Sequence, residues 1–545
     1  MAALSTPLLA IGLLFSLAFW RWVVQPAFFS PLAKLPSAHW STAFSSLWIF
    51  QKRFLQKDTF AVHDAHVRLG PILRLAPYEV SVNSLEGVQT IYGRGFEKND
   101  WYANIFSNYG VRPAFAMSSN SEHSRRKRAM GNVYAKSTLF SSPALESISR
   151  TIINDRLLPR LGDLAQTGEV TEFYDIFAAL TIDYVVAYCY GLKAGSDLVS
   201  QLELASKFAK AYKTRVKYVS LPQELPGLTS WMGRRGILPW VLPPLAADRS
   251  LDWDPEAWLL EMQDKAEEIV ERAEREGKHD DIGNWPTVYA QLRSTLHTEQ
   301  QTQVPEKGMP EYTRLTIASE LDDHVFAGFD TGSMVLTYLA WEISKPANAV
   351  WQERLHHEVA SLADSSNSKV LDGLPILHAV LMETLRLHAP VSGNQVRVTP
   401  STGAVFNVPG GATVTLPPTT RVHAQAWSLH RNPSVFPDPE RWSPTRWLES
   451  NEEQLKDMNR WFWAFGSGSR MCTGINLAMI ELKSVTASMW RDFITELVDG
   501  AGMAHNGGYL AGPLGANGKY LTLRLKAVEK TVRGIEGYDL DLYKL

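Results

Sequence analysis

A cysteine in a glycine-rich loop that leads directly into a helix is a place where a thiolate can be held against a metal. The segment Phe465-Gly466-Ser467-Gly468-Ser469-Arg470-Met471-Cys472-Thr473-Gly474, followed by the helical pattern from Asn476 to Leu482, has this form. The positive end of the helix and its free backbone N–H groups favour the thiolate, and the glycines let the backbone approach a flat cofactor. A dinucleotide loop fits poorly, because Gly466 and Gly468 are not followed by a third glycine at Met471. Taken alone, the segment is equally readable as a glycine loop around a buried cysteine. The other cysteine, Cys189, lies in the apolar run Ala187-Tyr188-Cys189-Tyr190 and reads as an inert core thiol. Two cysteines exclude a disulfide framework and any cysteine-rich zinc module.

Three further groups carry potential chemistry. Asp330 and Thr331 stand in Ala327-Gly328-Phe329-Asp330-Thr331-Gly332, within an apolar helix expected from about Thr313 to Ser344 and stopped by Pro346. An acid and an alcohol are costly to bury without partners, so they point to a cavity or a cofactor; the alternative is a solvated turn. Glu383 and Arg386 lie three apart on an apolar helix that ends before Pro390. On a surface such a pair contributes only about 0.2–0.5 kcal/mol. The basic run His123-Ser124-Arg125-Arg126-Lys127-Arg128 places His123 and Lys127 at helical i, i+4 spacing, and Arg397 follows the loop from Ala389 to Gln395. Without further context the basic run is a solvated face.

In order along the chain, these motifs resemble the cytochrome P450 family. Its ligand-loop pattern F-x-x-G-x-R-x-C-x-G is met by Phe465, Gly468, Arg470, Cys472 and Gly474. The likeness covers about residues 31 to 530 and is to membrane-anchored, microsomal-type members of fungal secondary metabolism. It implies that Cys472 is the proximal ligand to the iron of haem b, that Arg470 pairs with a haem propionate and that Phe465 packs on the ligand loop. Thiolate ligation pushes electron density onto iron and favours O–O cleavage. Glu383 and Arg386 would join an arginine downstream of Phe436-Pro437-Asp438-Pro439; family spacing selects Arg446 over Arg441, with Thr445 replacing the usual glutamate. Thr331 would hold oxygen and a water, and Asp330 would relay protons. His123, Lys127 and Arg397 would meet the propionates, with lysine at 127 where arginine is usual.

These groups need a scaffold, and the chain is long enough for one: 545 residues, 45% hydrophobic, with a net charge of -3 that gives no basic field for nucleic acid. The pattern predicts a mainly α fold with small β-sheets, the cytochrome P450 fold, forming one catalytic domain over 31–545. Residues 1–30 read as a transmembrane anchor and hinge. The stretch Ala2–Trp20 is uncharged, prolines recur at 26, 31 and 36, and Arg21, Lys34, Lys52 and Arg53 place the bulk on the cytosolic side of the endoplasmic reticulum. Residues 218–248 read as a long irregular connection and a second membrane contact. Residues 365–369 read as an exposed loop.

The resemblance implies a monooxygenase that inserts one atom of O₂ into a hydrophobic small molecule. Electrons would come from NADPH through a partner flavoprotein reductase, since the chain has no P-loop or dinucleotide fingerprint. Two other readings stand beside it: a haem-thiolate isomerase or dehydratase that does not use O₂, and a non-catalytic haem sensor.

Overall fold

The computed structural model describes residues 2–216, 219–235, 254–277, 282–301, 310–362, 367–408 and 410–528. Its central element is the long helix Glu311–Ser344, which starts after an extended Pro310 and stops at Lys345, where Pro346 cannot continue it. The helix Phe173–Tyr190 packs along it and is buried at nearly every position. Glycines set how closely the two approach. A Cβ on Gly328 would lie 3.1 Å from Val185, and one on Gly332 would lie 3.1 Å from Thr181. Thr181 also donates its hydroxyl to the Phe329 carbonyl across the contact, at 3.2 Å. Each large aliphatic or aromatic side chain buried here contributes about 1.5–3 kcal/mol. Two more helices complete the frame around the site, Pro375–Leu387 and Ile475–Asp492.

Small sheets sit beside the helices, in keeping with a mainly α class. One has four strands in the order Ile72–Ala76, Glu79–Val82, Arg421–His423, Arg397–Val398, with a single parallel pairing between the second and third. A three-stranded sheet joins Val170–Glu172, Thr522–Ala527 and Phe493–Asp499, and a hairpin joins Ala404–Asn407 to Thr413–Leu416. The first sheet matters most here, because its edge strand carries Arg397.

At the N-terminus the structure differs from the expected hinge. The helix Ala2–Phe19 continues as a wider π-helical segment, Trp20–Phe29, through a buried Pro26. The wider winding accommodates the ring and the missing N–H of proline. The break comes at Ser30, whose hydroxyl accepts from Leu32 N and caps the short turn Pro31–Lys34. Residues 9–29 form an apolar helix that is long enough to cross a bilayer and is almost entirely exposed. Arg21 donates to the Tyr78 hydroxyl at 3.2 Å, tying the helix to the sheet end. Arg53, expected as an interfacial charge, is instead buried and paired with Glu79 and Glu224.

Two further expectations are revised. Residues 218–248 are not one irregular connection: helices Ser220–Glu224 and Pro226–Arg234 form where the chain is described, while residues 218 and 236–248 lie outside the described residues. Of the loop at 365–369, residues 365–366 lie outside the described residues, and Asn367 caps the helix Ser368–Asp372.

Candidate active site

The ligand loop is shaped by its own backbone. Cys472 N donates to Phe465 O at 3.0 Å and Met471 N to Gly468 O at 3.2 Å, so the loop closes on itself just before the helix Ile475–Asp492. Gly468 has φ +72°, and a Cβ there would sit 2.2 Å from the Tyr92 carbonyl oxygen, so glycine is required. Cys472 is solvent-accessible yet lies deep among protein atoms, because its accessible surface faces an internal cavity of about 340 Å³. Burial pushes its thiol up, while the backbone N–H groups of Gly474 and Ile475 oppose that shift. A thiol so placed favours its anionic form only once a cation sits in front of it.

The helix Pro375–Leu387 holds this loop through a dense buried network. Glu383 Oε1 accepts from Arg386 Nη2 (2.8 Å), Ser443 N (2.8 Å) and Arg446 Nε (3.0 Å); Oε2 accepts from Arg386 Nε (2.9 Å) and Trp447 Nε1 (3.0 Å). Arg386 also donates to the carbonyls of His430, Pro439 and Arg441. It is Arg446 whose side chain reaches Glu383, whereas Arg441 contributes its carbonyl. The connection onward to the cysteine runs through His430, which sequence reasoning missed. Its Nδ1 lies 2.8 Å from Arg386 O, and its Nε2 accepts from Trp463 N at 2.7 Å, two residues before Phe465. Those contacts require the Nδ1–H tautomer, and burial lowers the imidazole pKa to about 3, so it stays neutral.

Across the cavity lie Asp330 and Thr331. Thr331 donates its hydroxyl to Ala327 O at 2.8 Å, which keeps it folded back on its own helix. Asp330 is buried, and its carboxyl is pushed up to about 7 by burial, against the pull of Lys213. Lys213, on the helix Leu202–Val216, is pushed down to about 8 by burial, against the attraction of Asp330, Asp175 and Glu172. Its ammonium lies 3.6 Å and 3.8 Å from the ring centres of Tyr174 and Tyr520. A second acid, Glu481, also lines the cavity; it is 4% exposed and burial alone raises its pKa far above the carboxylate range. It stands on the helix Ile475–Asp492 that follows the ligand loop, and the packing of that helix, not a spacing in the sequence, turns it to the cavity.

The cavity walls include Ile105, Phe106, Phe115, Phe326, Val391 and Leu510, together with Tyr212 and Val216 from the helix Leu202–Val216. At one edge stand His123, Arg397 and Arg470, as expected, and Lys98, which was missed. Lys127 is exposed and is not part of the cavity lining. Phe465 lines the cavity beside Cys472. Like charges crowd this edge. Burial and then Arg397 lower Arg470 to about 10, and burial followed by Arg470, Lys98 and Lys127 lowers His123 to about 4. Clustered buried cations call for anions. A thiol facing the cavity, cations at one edge and apolar walls above fit a flat, dianionic, iron-bearing cofactor such as haem.

Comparison with known proteins agrees with that donor set. The family model described as Cytochrome P450 matches residues 259–505. Cytochrome P450 monooxygenase sdnE of Sordaria araneosa is 26% identical over 91% of this chain and 93% of its own length. Cytochrome P450 monooxygenase ucsK of an Acremonium species is 26% identical over 90% and 92%, and tazI of Aspergillus terreus is 25% identical over 82% and 84%. The matched region contains the long helix, the Glu383 network and the Cys472 loop, and with the geometry above it makes the chain a member of the cytochrome P450 family, a haem monooxygenase.

Proposed function

We propose that Cys472 ligates haem iron, that Asp330 and Thr331 serve proton delivery on the opposite side, and that the substrate is a hydrophobic small molecule of fungal-type secondary metabolism. Haem, when bound, supplies oxygen activation: one atom of O₂ enters the substrate, by hydroxylation, epoxidation or oxidative ring formation, and the other leaves as water. The chain's own residues do the rest. The Glu383–Arg386–Arg446 network and His430 fix the ligand loop, and Phe465 packs beside the thiolate. Apolar walls seat the substrate and exclude water. Asp330 is poised near neutrality, where a carboxyl can both take and give a proton, and the adjacent Thr331 hydroxyl can pass it inward.

Residues 31–545 act as one catalytic domain behind a membrane anchor ending near residue 30, on the cytosolic face of the endoplasmic reticulum. Electrons reach it from NADPH through a flavoprotein reductase. The observation that carries this reading is Cys472, held by a closed backbone loop at a helix start and facing the same cavity as Asp330 and Thr331. The reduced, CO-bound holoprotein in its membrane is expected to give the strongly red-shifted Soret band of thiolate ligation, lost in Cys472→Ala. An imidazole-like band in the wild type would overturn the assignment. Thr331→Ala should still bind haem but divert NADPH-derived electrons to hydrogen peroxide; unchanged coupling would remove Thr331 from the relay.

A further inference from the structure

The cavity extends along the long helix well beyond Thr331. Glu320, His324, Ala327 and Thr331 follow one another at helical spacings of four, three and four on Glu311–Ser344, and all line the cavity. One face of the helix therefore forms a wall, with Glu320 and His324 at the end away from Thr331. The seven residues from His324 to Thr331 span roughly 10 Å along the axis.

The two oxygens of Glu320, a fully buried residue, are treated unequally. Oε2 accepts from Ala114 N at 2.9 Å and from Arg126 Nη1 at 3.1 Å. Oε1 has no hydrogen-bond partner among the described residues. It stands 3.6 Å from His324 Nε2, near enough for charge attraction and too far for a hydrogen bond. His324 is fixed from its other side, where Nδ1 lies 2.9 Å from the Tyr134 hydroxyl oxygen and the two rings meet edge to face.

Charge is already answered here. Burial pushes the Glu320 carboxyl up, but His324, Arg126 and the Ala114 N–H outweigh it and hold the group below its ordinary range. Burial lowers His324, yet Cys189 and Glu320 outweigh it and raise the imidazole to about 10. The carboxylate thus has cations enough and lacks a neutral donor for Oε1. Leaving a buried acceptor without one is costly.

We propose that Glu320 and His324 form a hydroxyl-reading subsite, in which a substrate alcohol donates to Glu320 Oε1 within reach of His324 Nε2. The substrate class this selects is an apolar molecule with an alcohol at one end and the carbon to be oxidised at the other, roughly 10 Å away along the helix. The inference rests on the proposed reading of the cavity as the substrate chamber of a haem-thiolate enzyme. An amine would add a third cation beside Arg126 and His324, and an ether or ketone has no donor for Oε1.

The test uses full-length, haem-loaded protein in its membrane and 1-alkylimidazoles, whose free ring nitrogen takes the iron and leaves the chain to lie in the cavity. Chains of increasing length end in methyl, hydroxyl, methoxy or ammonium, and Kd is read from the Soret shift of nitrogen ligation. At a particular length the hydroxyl should bind about 10- to 30-fold tighter than methyl, with methoxy and ammonium within about threefold of methyl. Glu320→Gln offers amide donors where Oε1 accepts, so the advantage of hydroxyl over methoxy should fall below about threefold. The proposal is overturned if the hydroxyl gains at no length, if methoxy gains equally, if ammonium gains more, or if the hydroxyl preference survives in Glu320→Gln. If Glu320→Gln yields no holoprotein, the wild-type profile decides: a length optimum seen with hydroxyl alone supports the subsite, and its absence overturns it. The reduced, CO-bound wild type separates the two readings. A red-shifted band with a flat hydroxyl profile overturns this proposal alone, and a band without the shift overturns the haem-thiolate reading and this proposal with it.

Discussion

Glu383 and Asp330 are both carboxylates buried in apolar helices, and their surroundings differ sharply. Both oxygens of Glu383 are occupied, by five donors from its own helix and from residues 443–447. The carboxylate of Asp330 has no hydrogen-bond partner among the described residues, and its nearest charge is a lysine stacked on two tyrosines. A fully satisfied ion network specifies one arrangement. An under-satisfied acid keeps a pKa near the working pH and so can exchange protons. The first environment builds a scaffold and the second suits a reaction.

Breaking the satisfied side should have the largest effect. Glu383→Gln leaves Arg386 buried without its counter-charge, which costs about 3–5 kcal/mol; thermal unfolding should show that loss, with little holoprotein recovered. Full retention of haem would show that the network is dispensable. On the other side, Asp330→Asn should leave the fold and the CO spectrum intact but lower NADPH-driven turnover by about 10²- to 10⁴-fold. A collapse of stability instead would place Asp330 with the scaffold.

Two smaller effects sharpen the contrast through pH. His430 has a folded pKa of about 3, below its unfolded value of 6.5, so its contribution is present above pH 6.5 and is lost as pH falls toward 3. His430→Leu should show a shallower loss of stability over that window, with the ligand loop less firmly held. Asp330 has the opposite sign. Its folded pKa of about 7 exceeds the model-peptide 3.8, so its contribution is full below pH 3.8 and is lost as pH rises to 7. Asp330→Asn should remove that decline, measured as unfolding midpoints between pH 4 and 7. Lys213, depressed to about 8, acts only at higher pH, where stability gains as pH rises from 8 to 10.5.

A second contrast concerns apolar helices. Residues 9–29 and Phe173–Tyr190 are similar in length and hydropathy, yet one is 6% buried and the other 94%. Sequence separates them only by position, because a core helix and a membrane span bury the same kinds of side chain against different surroundings.

The mainly α class, the Cys472 loop, the Glu383–Arg386 pair and the Asp330–Thr331 pair were all legible in the sequence, because each depends on local spacing: 3.6-residue periodicity, a glycine forced by φ, a proline that stops a helix. His430, Lys98 and Glu481 were not, since their roles depend on groups distant along the chain. His430 bridges Arg386 to Trp463, and Lys98 meets Arg397 and Arg470 only in three dimensions. The same limit explains Lys127. Its i, i+4 spacing put it on the face of His123, but only the packing of the helix Asn120–Ala129 decided which of the two reaches the cavity. Cys472 itself was marked out by its sequence, whereas its opposition to Asp330 across one cavity came from tertiary packing, because no local pattern records which helices meet.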